Sequence, residues 1–214
     1  MKRFAYACVV PCLVLAGCGS SSSSLSADID SSFATPNANG EISRTDPNRS
    51  RAGSEFSSIT GNGYGYEVGF VDDQNLEGFA GIVPGATVAP PLSGGTASYQ
   101  GRFEVAVLGD ITRTSDSVGF TSFSDDGVLT LIANFDDQTL TGQGIGRDGG
   151  DLNPLLDNNE LAVDGRFDGN ALEGSVTYNG VTGPLLGLVG ADEVIGAFHG
   201  NSDTQLHAGG FIAN

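Results

Sequence analysis

The sequence predicts an all-β protein: a soluble eight-stranded antiparallel β-barrel, preceded by a β-hairpin and a disordered, lipid-anchored tether. Three observations predict it. Apolar and polar residues alternate in short runs from residue 96 to the C-terminus, the period of half-buried strands. Clusters such as Asp136-Asp137-Gln138 and Asp168-Gly169-Asn170 separate those runs and favour turns. No helical periodicity of useful length interrupts them. The 33 glycines and the absence of tryptophan fit many tight β turns.

Residues 1–17 read as an export signal. Lys2 and Arg3 form its positive start, and residues 4–15 are an apolar run too short to cross a membrane as a stop-transfer helix. Leu15-Ala16-Gly17-Cys18 comes next. This run resembles the bacterial lipobox, which implies that Cys18 is acylated, palmitate-type chains included, and becomes the first mature residue. Several acyl chains on one residue hold a protein at a bilayer far better than one. Gly19 stands where the lipoprotein pattern would place an inner-membrane retention aspartate, so the resemblance implies the outer membrane of a Gram-negative bacterium.

Residues 18–61 read as the lipidated cysteine and a disordered Ser-rich tether. The stretch opens on Ser20-Ser21-Ser22-Ser23-Ser24 and keeps no apolar period. About forty flexible residues would reach about 35 Å. Arg44, Arg49 and Arg51 make a local positive cluster within it. Residues 62–93 read as a hairpin and a connector, a rudimentary handle. Tyr64, Tyr66, Val68 and Phe70 alternate with Gly65, Glu67 and Gly69; Asp72-Asp73-Gln74-Asn75 turns the chain. A lone hairpin is marginal in water, so it is expected to pack on the C-terminal barrel.

Residues 94–214 read as the barrel. Tyr99, Phe103, Val105 and Val107 share one face. Residues 118–123 form a short run of their own. Leu129, Leu131, Ala133 and Phe135 point one way, as do Leu161, Val163 and Phe167, and then Leu172, Val176 and Tyr178. Residues 185–189, 194–199 and 205–213 complete the series. The last two form a terminal hairpin rich in glycine and apolar residues. Left as an exposed edge it would pair with other chains, so it is expected to close the barrel against the strand opening at Thr96. Eight strands leave room inside for side chains or one small ligand.

Four stretches resemble the β-barrel domain of bacterial transferrin-binding protein B and its relatives, the factor H-binding lipoproteins among them. They are Gly94-Gly95-Thr96-Ala97-Ser98-Tyr99-Gln100-Gly101-Arg102-Phe103, the hairpin from Ala133 to Gly142 (ANFDDQTLTG), the hairpin from Gly165 to Gly174 (GRFDGNALEG), and the closing run Gly196-Ala197-Phe198-His199-Gly200 through Ala208-Gly209-Gly210-Phe211. Together they keep the family's order. His199 stands where the family usually has tyrosine and Asn201 where it often has proline. The family's full receptor has two lobes, each with a handle and a barrel; this chain has one barrel, and nothing in it maps onto the receptor's transferrin contacts.

The charge excludes some partners. The formal net charge is −17, and loss of Lys2 and Arg3 leaves seven arginines against 26 acids, a charge of −19. Such a surface repels nucleic acid and anionic lipid. Cysteines occur only at 8, 12 and 18, so the folded part carries no disulfide and no thiolate metal site. Without lysine in the mature chain there is no P-loop and no Schiff base, and no Gly-x-Ser-x-Gly elbow is present. The protein is read as no enzyme, and no cofactor is assigned. Haem and calcium are the two ligands for which donor residues exist. Haem takes axial histidine, and His199 and His207 fall on adjacent strands of the terminal hairpin. Calcium needs six to eight converging oxygens, some of which Asp148, Asp151, Asn153 and Asp157 can supply from one loop. The leading expectation is a surface lipoprotein that binds a protein or small solute through barrel loops such as residues 147–159, in iron or haem acquisition with an outer-membrane transporter. The alternatives are a passive acidic envelope lipoprotein and a periplasm-facing solute-binding lipoprotein.

Overall fold

In the computed structural model, residues 28–114, 117–146 and 160–214 are described. Twelve strands run in chain order: β1 (Ile29–Phe33), β2 (Ser50–Phe56), β3 (Gly63–Phe70), β4 (Leu76–Ile82), β5 (Thr96–Arg113), β6 (Val118–Asn134), β7 (Thr139–Gly146), β8 (Glu160–Asp168), β9 (Ala171–Tyr178), β10 (Val181–Val189), β11 (Val194–Asn201) and β12 (Leu206–Ala213). The first four make a sheet in the order β1-β4-β3-β2, and the last eight close into a barrel.

The terminal hairpin closes the barrel as expected. β12 pairs antiparallel with β5 from Leu206↔Leu108 to Ala213↔Gly101. Inward positions of all eight strands fill the interior with Tyr99, Phe103, Val105, Leu129, Leu131, Val163, Phe198 and Phe211, among others. Turn chemistry matches the chain reversals: Gly169 takes φ 57° and Gln138 φ 55°, the left-handed region that tight hairpins use. Residues 118–123 and 129–134, which read as parts of separate runs, belong to one strand of 17 residues. Asp125-Asp126 interrupts the apolar pattern without ending the strand. Asp125 turns inward and accepts a hydrogen bond from Tyr178 Oη at 2.9 Å. Asp126 turns outward and pairs with Arg102 at 3.0 Å.

The disordered tether expected over residues 18–61 is corrected from residue 28 onward. β1 pairs in parallel with β4 and β2 antiparallel with β3. The expected hairpin, β3 and β4, is therefore the centre of a four-stranded handle sheet. Residues between β1 and β2 cross its outer face. A Cβ on Gly65 would overlap the Gly40 carbonyl and one on Gly81 the Ala34 carbonyl, so glycine permits this close approach. Beneath the crossing, Glu67 is buried and its carboxylate accepts the Arg44 amide at 2.7 Å and the Thr45 hydroxyl at 3.2 Å. Burial pushes the Glu67 carboxyl above its usual range, against those hydrogen bonds.

The handle's other face lies on the barrel. Tyr64, Tyr66, Val68, Phe70, Leu76 and Ala80 form one core with Ala106, Leu108, Ile195, Ala197, Leu206 and Ala208. This corrects the expectation of one apolar and one polar face per barrel strand. Along β11 and β12 both faces are apolar, because the outer one is the floor of the handle.

Candidate functional site

Each of the two ends of the handle–barrel seam carries a polar contact. At one end Glu193, in the turn before β11, is buried. Its carboxylate accepts hydrogen bonds from Asn62 Nδ2 at 2.5 Å and from Thr60 Oγ1 at 2.9 Å. Asn62 also donates to the Thr87 carbonyl and accepts the Thr87 amide, at 2.7 and 2.9 Å. One carboxylate thus ties the β2–β3 turn to the barrel. Glu193→Ala is expected to leave the buried Asn62 amide short of a partner, which costs about 1–3 kcal/mol. Thermal unfolding followed by circular dichroism checks it, with about 2–4 °C lost per kcal/mol for a chain of this size.

At the other end His199 leaves the barrel wall toward β1. Its Nδ1 lies 2.8 Å from Ser31 Oγ, and its ring meets Phe33 edge-on at 4.5 Å between centroids. Ser31 Oγ in turn donates to Asn201 Oδ1 at 2.8 Å, and Asn201 Nδ2 donates to the Ile29 carbonyl at 3.0 Å. Burial lowers the His199 pKa to about 4, with Asp30 opposing.

His207 points into the barrel. It is fully buried between the Tyr178 and Phe198 rings, at 5.6 and 6.1 Å. Its ring covers Gly200, where a Cβ would crowd Cε1 and Nε2. Nδ1 lies 3.4 Å from Gln205 Nε2, whereas Nε2 has no hydrogen-bond partner. Burial and the neighbouring His199 lower its pKa to about 3.

The structure therefore separates the two histidines expected as a haem pair. They sit on adjacent strands, with His199 opposite Ala208 and His207 opposite Gly200. Their side chains leave opposite faces of the sheet, one under the handle and one inside the barrel. Two imidazoles so placed do not converge on one iron. The expected calcium residues Asp148, Asp151, Asn153 and Asp157 lie outside the described residues. Among the described residues no group of three or more His, Cys, Asp or Glu side chains is placed to hold a metal ion.

Sequence reasoning passed over the surface with the clearest binding chemistry. The handle meets the start of β6, where Phe70 packs on Phe120 and Arg51 donates to Ser122, but the outer face of β6 from Val128 onward, with that of β7 and β8, is open. It exposes Val128 and Ile132 at 52% each and Ile145 at 63%. Val128 stands directly opposite Ile145 across the β6–β7 ladder. Beside them runs a shallow groove of about 500 Å³ lined by Thr130, Ile132, Thr141, Gln143, Ala162 and Asp164, among others. The signal was present in the sequence. Val128 and Ile132 occupy outward positions in a stretch of β6 whose neighbouring outward residues, Asp126, Thr130 and Asn134, are polar.

Handle and barrel together define a fold class: an all-β protein in which a filled eight-stranded barrel carries a four-stranded sheet packed on its wall. No family model matches the chain, and no curated protein matches it. Similar solved structures include a surface lipoprotein, at 13% identity and TM-score 0.49, covering 78% of this chain and 81% of that one. They also include the apo haemoglobin receptor HpuA from Kingella denitrificans, at 19% identity and TM-score 0.40, covering 70% of this chain. A third is intact Ap-TbpB with its N and C lobes, at 15% identity and TM-score 0.44, covering 76% of this chain. The chain spans 53% of the HpuA structure and 38% of the two-lobed one.

Proposed function

We propose that this protein is a lipid-anchored binding protein of the outer membrane, displayed at the cell surface, whose ligand is another protein. The observation that carries the reading is the contrast between the two sides of the barrel wall. Inside, Phe103, Phe198, Phe211, Tyr178 and five leucines are almost wholly buried, so ligand recognition belongs to the exterior. There Val128 and Ile145 face each other across the β6–β7 ladder, and Ile132 stands further along the same face, past the polar Thr130–Gln143 pair. Apolar area rimmed by polar residues marks interaction surfaces. Cys18 supplies the anchor in this reading. Iron or haem acquisition, delivering to an outer-membrane transporter, is its finer form and rests on the resemblance of the barrel motifs.

Protease shaving of intact cells tests display: the mature protein is expected to be cleaved without lysis, and full protection would reject the surface placement. Binding is tested on the purified chain with haemoglobin and with iron-loaded transferrin as defined probes. The Ile132→Glu/Ile145→Glu variant is expected to keep the melting temperature, because both side chains are already exposed, and to lose at least tenfold in affinity. Absence of binding to either probe would reject the iron-acquisition form; equal affinity of the variant would reject this face.

A further inference from the structure

We infer that the anchor holds the barrel in one orientation, with the β11–β12 turn toward the membrane and the turn before β11 toward the medium. The inference rests on Cys18 being the lipidated residue. Its basis is the point at which the chain enters the fold.

β1 begins at Ile29, whose carbonyl accepts a hydrogen bond from Asn201 at the end of β11. The anchor therefore enters at the end of the barrel that carries the Ser202–Gln205 turn. The β9–β10 turn at Asn179 and Gly180 lies at this end, as do the last residue of β7, Gly146, and the first of β8, Glu160. So does the extension of β5 and β6 beyond the barrel, where the Ile111 amide donates to the Thr204 carbonyl at 3.0 Å. The opposite end carries the 135–138 turn, the Gly169 turn, Asp192 and Glu193, with Thr60 of the handle beside them.

Chain length then sets the orientation. Only eleven peptide steps separate Cys18 from Ile29. Whatever their conformation, they span at most about 40 Å; an unconstrained chain of that length averages about 18 Å end to end. β11 has eight residues and so is about 27 Å long at the usual strand rise. To place the opposite end at the membrane, the anchor would have to run back down the whole barrel and cross the headgroups. That takes nearly all of its extended length. A tether reaching residue 61 would have allowed either orientation, and the folding of β1 removes that freedom. Gly146 at the end of β7 and Glu160 at the start of β8 accordingly lie on the membrane side. The turns at 135–138, Gly169 and Asp192 are what a partner arriving from the medium meets first.

The test uses the full mature lipoprotein in vesicles of phosphatidylethanolamine and phosphatidylglycerol with an acceptor dye on a fraction of the headgroups. No cysteine occurs after Cys18, so Asp203→Cys and Asp192→Cys each give one donor site, both in exposed turns. Transfer from position 203 is expected to exceed that from 192, by a distance difference of about 20 Å or more, close to the length of the strand between them. Inserting a long Gly/Ser segment of about thirty residues after Ser24 is expected to abolish the difference. Equal or reversed transfer from the uninserted protein would overturn the orientation, and a difference that survives the insertion would overturn the tether as its cause. Flotation of the same samples reports the anchor separately: a chain that fails to float with the vesicles, as Cys18→Ser must, overturns the lipidation reading and this inference with it.

Discussion

Tyr64→Ala is expected to destabilise the whole molecule by about 3–5 kcal/mol, the range for removing a large buried aromatic side chain. Tyr64 is fully buried at the seam, stacked on Tyr66 with 6.1 Å between ring centroids. Its ring occupies the space above Gly210 on β12, where a Cβ would overlap it. The alanine leaves a cavity bounded by a glycine backbone that cannot fill it. Because handle and barrel share one core, the loss is expected to appear as one shifted transition, about 6–20 °C lower in melting temperature. Tyr64→Phe separates packing from polarity. It keeps the ring and removes only the hydroxyl that donates to Glu55 at 3.0 Å, and is expected to cost about 1.5–3 kcal/mol. Equal losses for the two variants would mean that the hydrogen bond, not the ring, holds the seam. Two separate melting steps in Tyr64→Ala would mean that the handle folds on its own.

The barrel was legible in the sequence because its signals are local. Alternation along β8 reproduces its burial residue by residue, with Leu161, Val163, Gly165 and Phe167 inside and Glu160, Ala162, Asp164 and Arg166 outside. The Asp-Gly-Asn turn needs no distant partner to declare itself. β1 and β2 were illegible for the opposite reason. Ile29–Phe33 reads IDSSF and Ser50–Phe56 reads SRAGSEF, with too little apolar surface to act alone. They are strands because β4 and β3 offer them free edges, and the parallel β1–β4 pair joins residues 47 apart. The same non-local cause hid the environment of the histidines. Nothing near His199 in the chain announces that Ser31 and Phe33 will cover it and bury it. Nothing near His207 shows that Gly200 opens a space for its ring.

Those two burials carry the second large effect, a loss of stability in acid. Both histidines are neutral in the folded and unfolded chain above the ordinary histidine pKa of 6.5. Below it the unfolded chain takes up protons, whereas burial keeps His199 neutral to about pH 4 and His207 to about pH 3. Between those limits the unfolded state binds more protons, so stability present above pH 6.5 is lost as pH falls. For His207 the slope approaches about 1.4 kcal/mol per pH unit; His199, at the seam and near Asp30, contributes in the same direction. The raised carboxyls of Glu67, Glu77 and Glu104, each pushed up chiefly by burial, act in the opposite sense, because the folded state protonates them first. The histidine share is therefore read by difference. Urea unfolding of wild type and His207→Leu from about pH 7.5 to about pH 3.5 is expected to give a stability difference that slopes steadily below the ordinary histidine pKa. A flat difference would show that His207 carries its charge inside the barrel. With the ring packed against Tyr178 and Phe198, Nδ1 facing the Gln205 amide nitrogen and Nε2 without a partner, the fold has no acceptor in place for either N–H of an imidazolium. Protonation of His207 and opening of the terminal hairpin are then expected to be one event.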